Sequence, residues 1–458
     1  MKRAFAIALI LLCTLTSGCS LTGGAPYAVS GRIVSANDEG LGIGGMAVSF
    51  SGSHSVGMTV SDDYGMWNVS NIKGNATIAP VSSGWIFEPA YRQVRGTESN
   101  VDFYAFASAP NTIGFLQVAA SKNYVLLLSA EGTVYFWGAI GSACTYGAAL
   151  QISGIEGVVA IAAGDKHCLA LRSDGTVWAW GANNKGQLGD GTYSDSFEKP
   201  VQVDGLSDVK AIAAGESHSL AVKTDGTVWC WGDNSVYQIG RNLPRTIVTP
   251  ILKTDIKDVS SVAACSRRSV AVKSDGSVWQ WGNWLIGLPM GGSIYWMERY
   301  VAEPEDVDLD GVVPVSAGFQ HSVALKGDGT VWVWGMNSHG QLGNGISGSG
   351  YGPYMVSGPD QAIAVAAGEN YGMAVAVDGS IWAWGANAGN YLGTGSYSAI
   401  IPPRKVEGIT SATNIAAGEQ VIAACDVFGD FWHWGMSYPG ASPMTSYILG
   451  SPRRIGTY

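Results

Sequence analysis

From Asn111 onward the chain is written in short apolar runs separated by glycine, aspartate and asparagine. Between Val158 and Val203 four such runs follow one another: Val158 to Ala163, His167 to Arg172, Thr176 to Trp180, and a last one near Pro200 to Val203. Runs of this length bounded by turn residues predict strands. The Asp174-Gly175 step between the second and third predicts a hairpin, because glycine accepts the positive φ of a primed tight turn. The segment therefore predicts four short antiparallel strands.

The same order recurs seven times. A small-residue triplet ends 16 residues before a Trp-Gly step in every unit, from Ala119-Ala120-Ser121 before Trp137 and Ala162-Ala163-Gly164 before Trp180 to Ala416-Ala417-Gly418 before Trp434. A glycine stands five residues before each of these tryptophans, at Gly132, Gly175, Gly226, Gly276, Gly329, Gly379 and Gly429. Successive tryptophans lie 43 to 53 residues apart, the period of one four-stranded propeller blade. Seven blades close a ring that leaves only short protected edges. The predicted fold is all-β: a seven-bladed β-propeller over residues 113–458, with Ser451 to Ile455 supplying its last strand.

A different pattern precedes it. Tyr27 to Val34, Met46 to Phe50, Gly57 to Ser61, Met66 to Val69 and Ala76 to Ala79 read as strands separated by Gly, Asn and Asp clusters, predicting a small β-sandwich over 27–105 and a linker over 106–112 around Pro110. Ser30-Gly-Arg-Ile-Val34, Gly44-Gly45 and Ser61-Asp-Asp-Tyr-Gly65-Met-Trp67 resemble the carboxypeptidase-regulatory-like, transthyretin-like modules of bacterial exported proteins. That resemblance implies a spacer or binding role.

The repeat itself resembles the regulator of chromosome condensation (RCC1) family. The resemblance is carried by Ile161-Ala-Ala-Gly-Asp-Lys-His167 through Asp174-Gly175-Thr-Val-Trp-Ala-Trp-Gly181 to Asn183-Asn-Lys-Gly-Gln-Leu-Gly189, with an echo in Trp334-Gly-Met-Asn-Ser-His-Gly-Gln-Leu-Gly-Asn-Gly345. It covers about three quarters of the chain, and the first and last repeats are the most degraded. The eukaryotic relatives' guanine-nucleotide exchange and chromatin binding are poorly matched by an exported chain. A net charge of -10 also disfavours DNA phosphates.

Composition sharpens this picture at a few points. With 63 glycines and 14% charged residues, the chain suits many turns around an extensively buried interior. Trp-x-Trp pairs such as Trp178 with Trp180 put both rings on one side of a strand, where they are expected to pack between blades. Lys2 and Arg3 before the apolar run Ala4 to Leu12 read as a signal peptide, residues 1–18. Leu15-Thr16-Ser17-Gly18-Cys19 resembles the bacterial lipoprotein cleavage site, which implies lipidation of Cys19, a tether over 19–26 and, with Ser20 next, an outer-membrane destination. Simple secretion with cleavage nearby is the alternative.

Chemistry is sparse. Cys144, Cys168, Cys230, Cys265 and Cys425 are odd in number and have no Cys-x-x-Cys spacing, so no disulfide framework is expected. His167, His218 and His321 share one repeat position, which spreads them around the ring and makes a structural role the expectation. No nucleophile elbow, P-loop or zinc helix occurs, and no cofactor is expected. Asp306, Asp308 and Asp310 begin a calcium-loop pattern, but Ala317 stands where its bidentate Glu belongs.

Partner binding is the stronger lead. Repeat four replaces the Asn-x-x-Gly-Gln-Leu-Gly loop with a long segment carrying Trp284, Tyr295, Trp296 and Tyr300. Neighbouring loops add Tyr237 and Arg241 from repeat three and Tyr351 and Tyr354 from repeat five. Tyr, Trp and Arg dominate binding hot spots. The sequence thus predicts a monomeric, membrane-anchored, non-catalytic binding protein of the cell envelope that takes a protein or glycan and no nucleic acid. An exported hydrolase or lyase, or a hydrolase inhibitor, on the same scaffold is the alternative.

Overall fold

The computed structural model describes the strands between Tyr27 and Ala107 and the chain from Gly114 to Ile455, apart from residues 141–142, 291–292, 349, 420 and 438–446. The leader, Cys19 and residues 108–113 lie outside the described residues. The chain divides into two compact units, Met1–Ser108 and Ala109–Tyr458. No helix among the described residues is long and apolar enough to cross a membrane.

The first unit holds two sheets. In one, Tyr27–Ser35 pairs antiparallel with Asp38–Gly42 and Met66–Ile72 and parallel with Phe103–Ala107, which in turn pairs with Trp85–Glu88. The other runs in the order Val56–Val60, Ala47–Gly52, Ala76–Val81, Arg92–Val94. Val48, Trp67, Val69 and Ile78 are buried, in keeping with alternating strands.

The second unit is a seven-bladed propeller. Each blade is a four-stranded antiparallel meander in which chain order is spatial order, from Phe115–Ala120, Tyr124–Ser129, Val134–Ile140 and Ala143–Gln151 in blade one to Ala412–Ala417, Val421–Asp426, Phe431–Ser437 and Tyr447–Ile455 in blade seven. The C-terminal segment is the outer strand of the last blade, and among the described residues no strand is exchanged between blades. Second strands are buried on both faces because neighbouring blades cover them: Cys168, Leu169 and Ala170 are all 0% exposed. These strands therefore read as unbroken apolar runs, without alternation.

The Asp-Gly turns differ from the primed type. Gly175 N–H donates to Arg172 carbonyl at 2.9 Å and Arg172 N–H to Thr176 carbonyl at 2.9 Å, with Gly175 at φ 79 and Asp174 not in the positive-φ region. This is a three-residue loop, a type I turn followed by a left-handed bulge glycine. Asp174 Oδ1 accepts the Thr176 N–H at 3.0 Å, an arrangement repeated by Asp225, Asp275, Asp328 and Asp378. Each turn glycine also meets the next blade. Its carbonyl accepts the N–H of that blade's first strand residue, as in Val209 to Gly175 at 3.1 Å, and Phe115 to Gly429 at 2.9 Å closes the ring.

The two tryptophans of each pair have different surroundings. Trp180, Trp231, Trp281, Trp334, Trp384 and Trp434 are at most 2% exposed. Trp231, Trp281 and Trp384 donate Nε1–H to the carbonyls of Gln187, Gln238 and Gln341 in the preceding blade at 2.8, 2.8 and 2.9 Å. The first rings are half-buried at the outer rim, where Lys223, Lys273 and Lys326 lie 4.6, 4.0 and 4.4 Å above Trp229, Trp279 and Trp332. Both packing and a cation over the ring occupy them.

Candidate functional site

Strand direction places the first turn of each blade and its third-to-fourth-strand loop at the same end of the propeller. Seven equivalent residues follow the triplets there: Lys122, Asp165, Glu216, Ser266, Phe319, Glu369 and Glu419. All but Glu216 line a central cavity of about 490 Å³ walled mainly by the alanines of the triplets. Lys122 bridges Asp165 at 2.9 Å and Glu419 at 3.6 Å, and Arg267 holds Glu216 at 3.2 Å. Burial raises the Asp165 carboxyl above its ordinary value against the pull of Lys122, and burial with nearby Glu419 does the same to Glu369.

Just outside the cavity wall, one repeat position forms a girdle between blades. Tyr124 donates its hydroxyl to Gly164 carbonyl at 2.5 Å, His167 Nε2 lies 3.0 Å from Ser219 Oγ, and His218 Nε2 lies 3.0 Å from Ser269 Oγ. Ser219 and Ser269 spend their own protons on the carbonyls of Gln187 and Gln238, at 2.9 and 3.0 Å. Both imidazoles must therefore donate from Nε2, and since burial disfavours their charged form they are the neutral Nε2–H tautomer. His321 donates to Tyr371 carbonyl at 3.1 Å, Arg268 reaches Ser322 Oγ at 2.9 Å, and Tyr371 reaches Gly418 carbonyl at 2.9 Å. Val421 offers no donor at the seventh joint, where blade seven meets blade one. Burial lowers His167 and His321 to about 3 and His218 to about 4.

Among the described residues no group of three or more His, Cys, Asp or Glu is arranged to hold a metal. Asp306, Asp308 and Asp310, the calcium candidates, are all exposed, and Asp306 Oδ1 already accepts the Asp308 N–H at 2.9 Å. The acidic stretch forms the turn from the outer strand of blade four to the first strand of blade five. Cys168, Cys230, Cys265 and Cys425 are free thiols, and burial pushes Cys168, Cys230 and Cys425 up to about 12.

The loop motif locks one blade to the next. Asn183 Oδ1 accepts the Leu188 N–H at 3.0 Å, and Gln187 Oε1 accepts the Lys185 N–H at 2.8 Å, which leaves the Gln187 carbonyl for Trp231 and Ser219. In blade four the loop becomes a two-stranded ribbon, Val278–Met290 paired with Ser293–Asp306. Its root is fixed. Trp284 is 4% exposed, Arg299 lies over its ring at 5.6 Å while pairing with Glu305 at 2.9 Å, and Leu285 N–H donates to Gln320 Oε1 at 2.7 Å.

Trp284 is therefore a packing residue, contrary to its reading as a contact. The backbones of Tyr295 and Trp296 pair with Leu288 and Gly287, but their side chains lie outside the described residues. Tyr300 is exposed and bonded to Glu298. Tyr351 stands near Arg299 and burial pushes its phenol up to about 12. Tyr237, Arg241 and Tyr351 are exposed on the loops of blades three and five, whereas Tyr354, expected on a loop, is exposed on the outer strand of blade five, opposite Val333. Sequence reasoning passed over Met297, Leu243 and Phe319, which are 53%, 40% and 42% exposed. Phe319 could have been noticed as the one aromatic in an otherwise polar repeat position.

The model of the RCC1-like domain matches residues 148–442. The E3 ubiquitin-protein ligase HERC2 of Mus musculus is 28% identical over 269 residues, which cover 52% of this chain and 5% of that protein. The Arabidopsis thaliana ultraviolet-B receptor UVR8 is 29% identical over 198 residues, 39% of this chain and 41% of the relative. The chain thus spans only a small part of the first of these relatives and under half of the second. Yeast RCC1 (Prp20), in its structure bound to Kap60, has a TM-score of 0.60 at 21% identity, covering 76% of this chain and 90% of that one.

Proposed function

The chain belongs to the RCC1-like domain family, and from that membership we propose that it is an exported, lipid-anchored binding protein of the bacterial envelope that presents the loop face of its propeller to a protein partner and catalyses no reaction itself. One observation carries this reading: Tyr237, Met297, Tyr300 and Tyr351 are 37 to 53% exposed on the loops of three successive blades, with Tyr354 49% exposed on the outer strand that follows. Large side chains exposed together in this way suit a contact surface. The scaffold beneath them is tied by backbone, tyrosine, histidine and tryptophan bonds between blades, so little order remains to be imposed on binding.

Capture from envelope fractions tests the surface. The full chain is expected to retain a partner that the Tyr300→Ala/Tyr351→Ala/Tyr354→Ala variant, melting within about 2 °C of the parent, retains at least tenfold less. Equal retention would remove blades four and five from the contact. The anchor is read from Leu15 to Cys19. Cys19→Ser is expected to abolish incorporation of labelled palmitate and move the protein from the membrane to the soluble fraction, whereas unchanged fractionation would refute lipidation at Cys19.

A further inference from the structure

Blade three departs from its neighbours at one backbone position. The third residue after the loop asparagine is left-handed in blades two, five and six: Gly186 at φ 72, Gly340 at φ 74 and Asn390 at φ 65. In blade three the place is taken by Tyr237, at φ 67. A bulky residue is a genuine outlier in this region, because its Cβ crowds the carbonyl that follows. The ring is only partly packed in exchange, being 41% exposed. Glycine would serve the fold better, and strain of this kind gathers at binding sites.

The rest of the loop supplies charge. Arg241 and Arg245 are exposed, with Leu243 between them at 40% exposure. Arg172, Arg267 and Arg299 each hold a carboxylate, while Arg241 and Arg245 hold none among the described residues. In a chain of net charge -10, two unneutralised guanidiniums lie four positions apart on one loop. The loop is also held in shape from below. Buried Asn234 accepts the N–H groups of Ile239 and Gly240, both at 3.0 Å, and donates to the carbonyls of Gly240 and Pro244 at 3.0 and 3.1 Å. Asn234 N–H donates to Arg245 carbonyl at 2.8 Å.

We propose that loop 234–245 is the docking site for an acidic segment of a polypeptide partner, whose carboxylates pair with Arg241 and Arg245 while an apolar side chain rests on Tyr237 and Leu243. The inference rests on the binding reading above and deepens it by naming the partner's chemistry. Guanidinium forks match carboxylates in pairs of hydrogen bonds, and an aromatic beside them adds contact area at little entropic cost. A nucleic acid also carries anions, but its continuous phosphates would meet Glu216, Glu369 and Glu419 at the same end of the propeller.

The probe is a fluorescein-labelled decapeptide of alternating glutamate and leucine, titrated into the full chain beside a lysine-leucine peptide and a single-stranded oligonucleotide. The glutamate peptide is expected to bind, to weaken with salt, and to lose about tenfold in affinity in Arg241→Ser/Arg245→Ser. Tyr237→Gly carries the sharper expectation. It should melt about 2 °C higher, through relief of the left-handed strain, and yet bind the peptide about tenfold more weakly.

No binding of the glutamate peptide, equal binding of the lysine peptide, or an affinity unchanged in the arginine variant overturns the proposal, as does a Tyr237→Gly chain that binds like the parent. Equal or tighter binding of the oligonucleotide overturns it in favour of a nucleic-acid surface. If envelope capture still depends on Tyr300, Tyr351 and Tyr354 while these titrations fail, only the blade-three assignment falls. Failure of both removes the loop face altogether.

Discussion

Acidification from pH 7 to pH 5 is expected to cost the propeller about 7 kcal/mol of stability, read as a fall in its urea midpoint. Four histidines drive this. His167, His321 and His433 are lowered from 6.5 to about 3 and His218 to about 4, in each case first by burial. Their folded values lie below their unfolded value, so between about pH 6.5 and 3 the unfolded chain binds protons that the folded chain refuses. Stability therefore rises with pH through this window and is lost as pH falls. Each fully buried imidazole contributes about 2 kcal/mol at pH 5. The buried carboxyls of Asp165 and Glu369 act in the opposite sense, but only as the carboxylate range is approached.

The repeat suggests its own control. Blades one and six carry Tyr124 and Tyr371 at the girdle position, and both bond to the next blade without a group that titrates near neutrality. His167→Tyr, His218→Tyr and His321→Tyr together should flatten the dependence to about a quarter, leaving His433. A pH slope unchanged in that variant would show that the girdle histidines are not what acid attacks.

Gly232→Ala is expected to destabilise the propeller by about 3 kcal/mol or more, measured by denaturant unfolding. Gly232 follows Trp231 at φ 99, and a Cβ there would lie 2.4 Å from the Ser217 carbonyl oxygen and 2.8 Å from His218 Cα. Neither obstacle is a side chain that can swing away, so the backbone of two strands must shift. The same geometry recurs at Gly181, Gly282 and Gly335. The contact explains the Trp-Gly step: the glycine lets the third strand pass the turn between the first two. Gly205→Ala is the comparison, since Gly205 is at φ 67 with nothing within 4 Å of its Cβ position. It should cost only the left-handed penalty of about 1 kcal/mol. Equal losses in the two variants would mean that conformation alone, and not close approach, requires the glycine.

The blades were legible because each depends on residues close in sequence. A triplet, a hairpin glycine and a Trp-Gly step within some fifty residues fix four strands, and repetition fixes the ring. The turn type was less legible, since a positive φ at glycine serves a primed turn and a bulge equally; what separates them is the register of Arg172 with Thr176. The binding face was harder to read for a different reason. Exposure of an aromatic depends on what folds over it, and Trp284 is covered by Arg299, fifteen residues away across a ribbon. Tyr237 stands out only when its φ is seen beside that of Gly186. The histidines were read correctly as structural, because a position repeated around a ring cannot converge.

Six of the seven joints between blades are crossed by the covalent chain; the joint between blades seven and one is crossed by none. Its backbone bond from Phe115 to Gly429 matches those elsewhere, and Val118 N–H adds one to Asn414 Oδ1 at 3.2 Å, but Val421 leaves it without the girdle bond. Tension applied between the ends of the propeller reaches this seam directly, while the other six joints are shielded by their connecting strands. The first strand to bear the load at the C-terminal end is the outermost, Tyr447–Ile455, held to its blade along one edge only. Pulled in this way, the ring would part at a single place and then surrender its blades in order from the last, as a zip opens, so that the loops of blade three would outlast those of blades five and four.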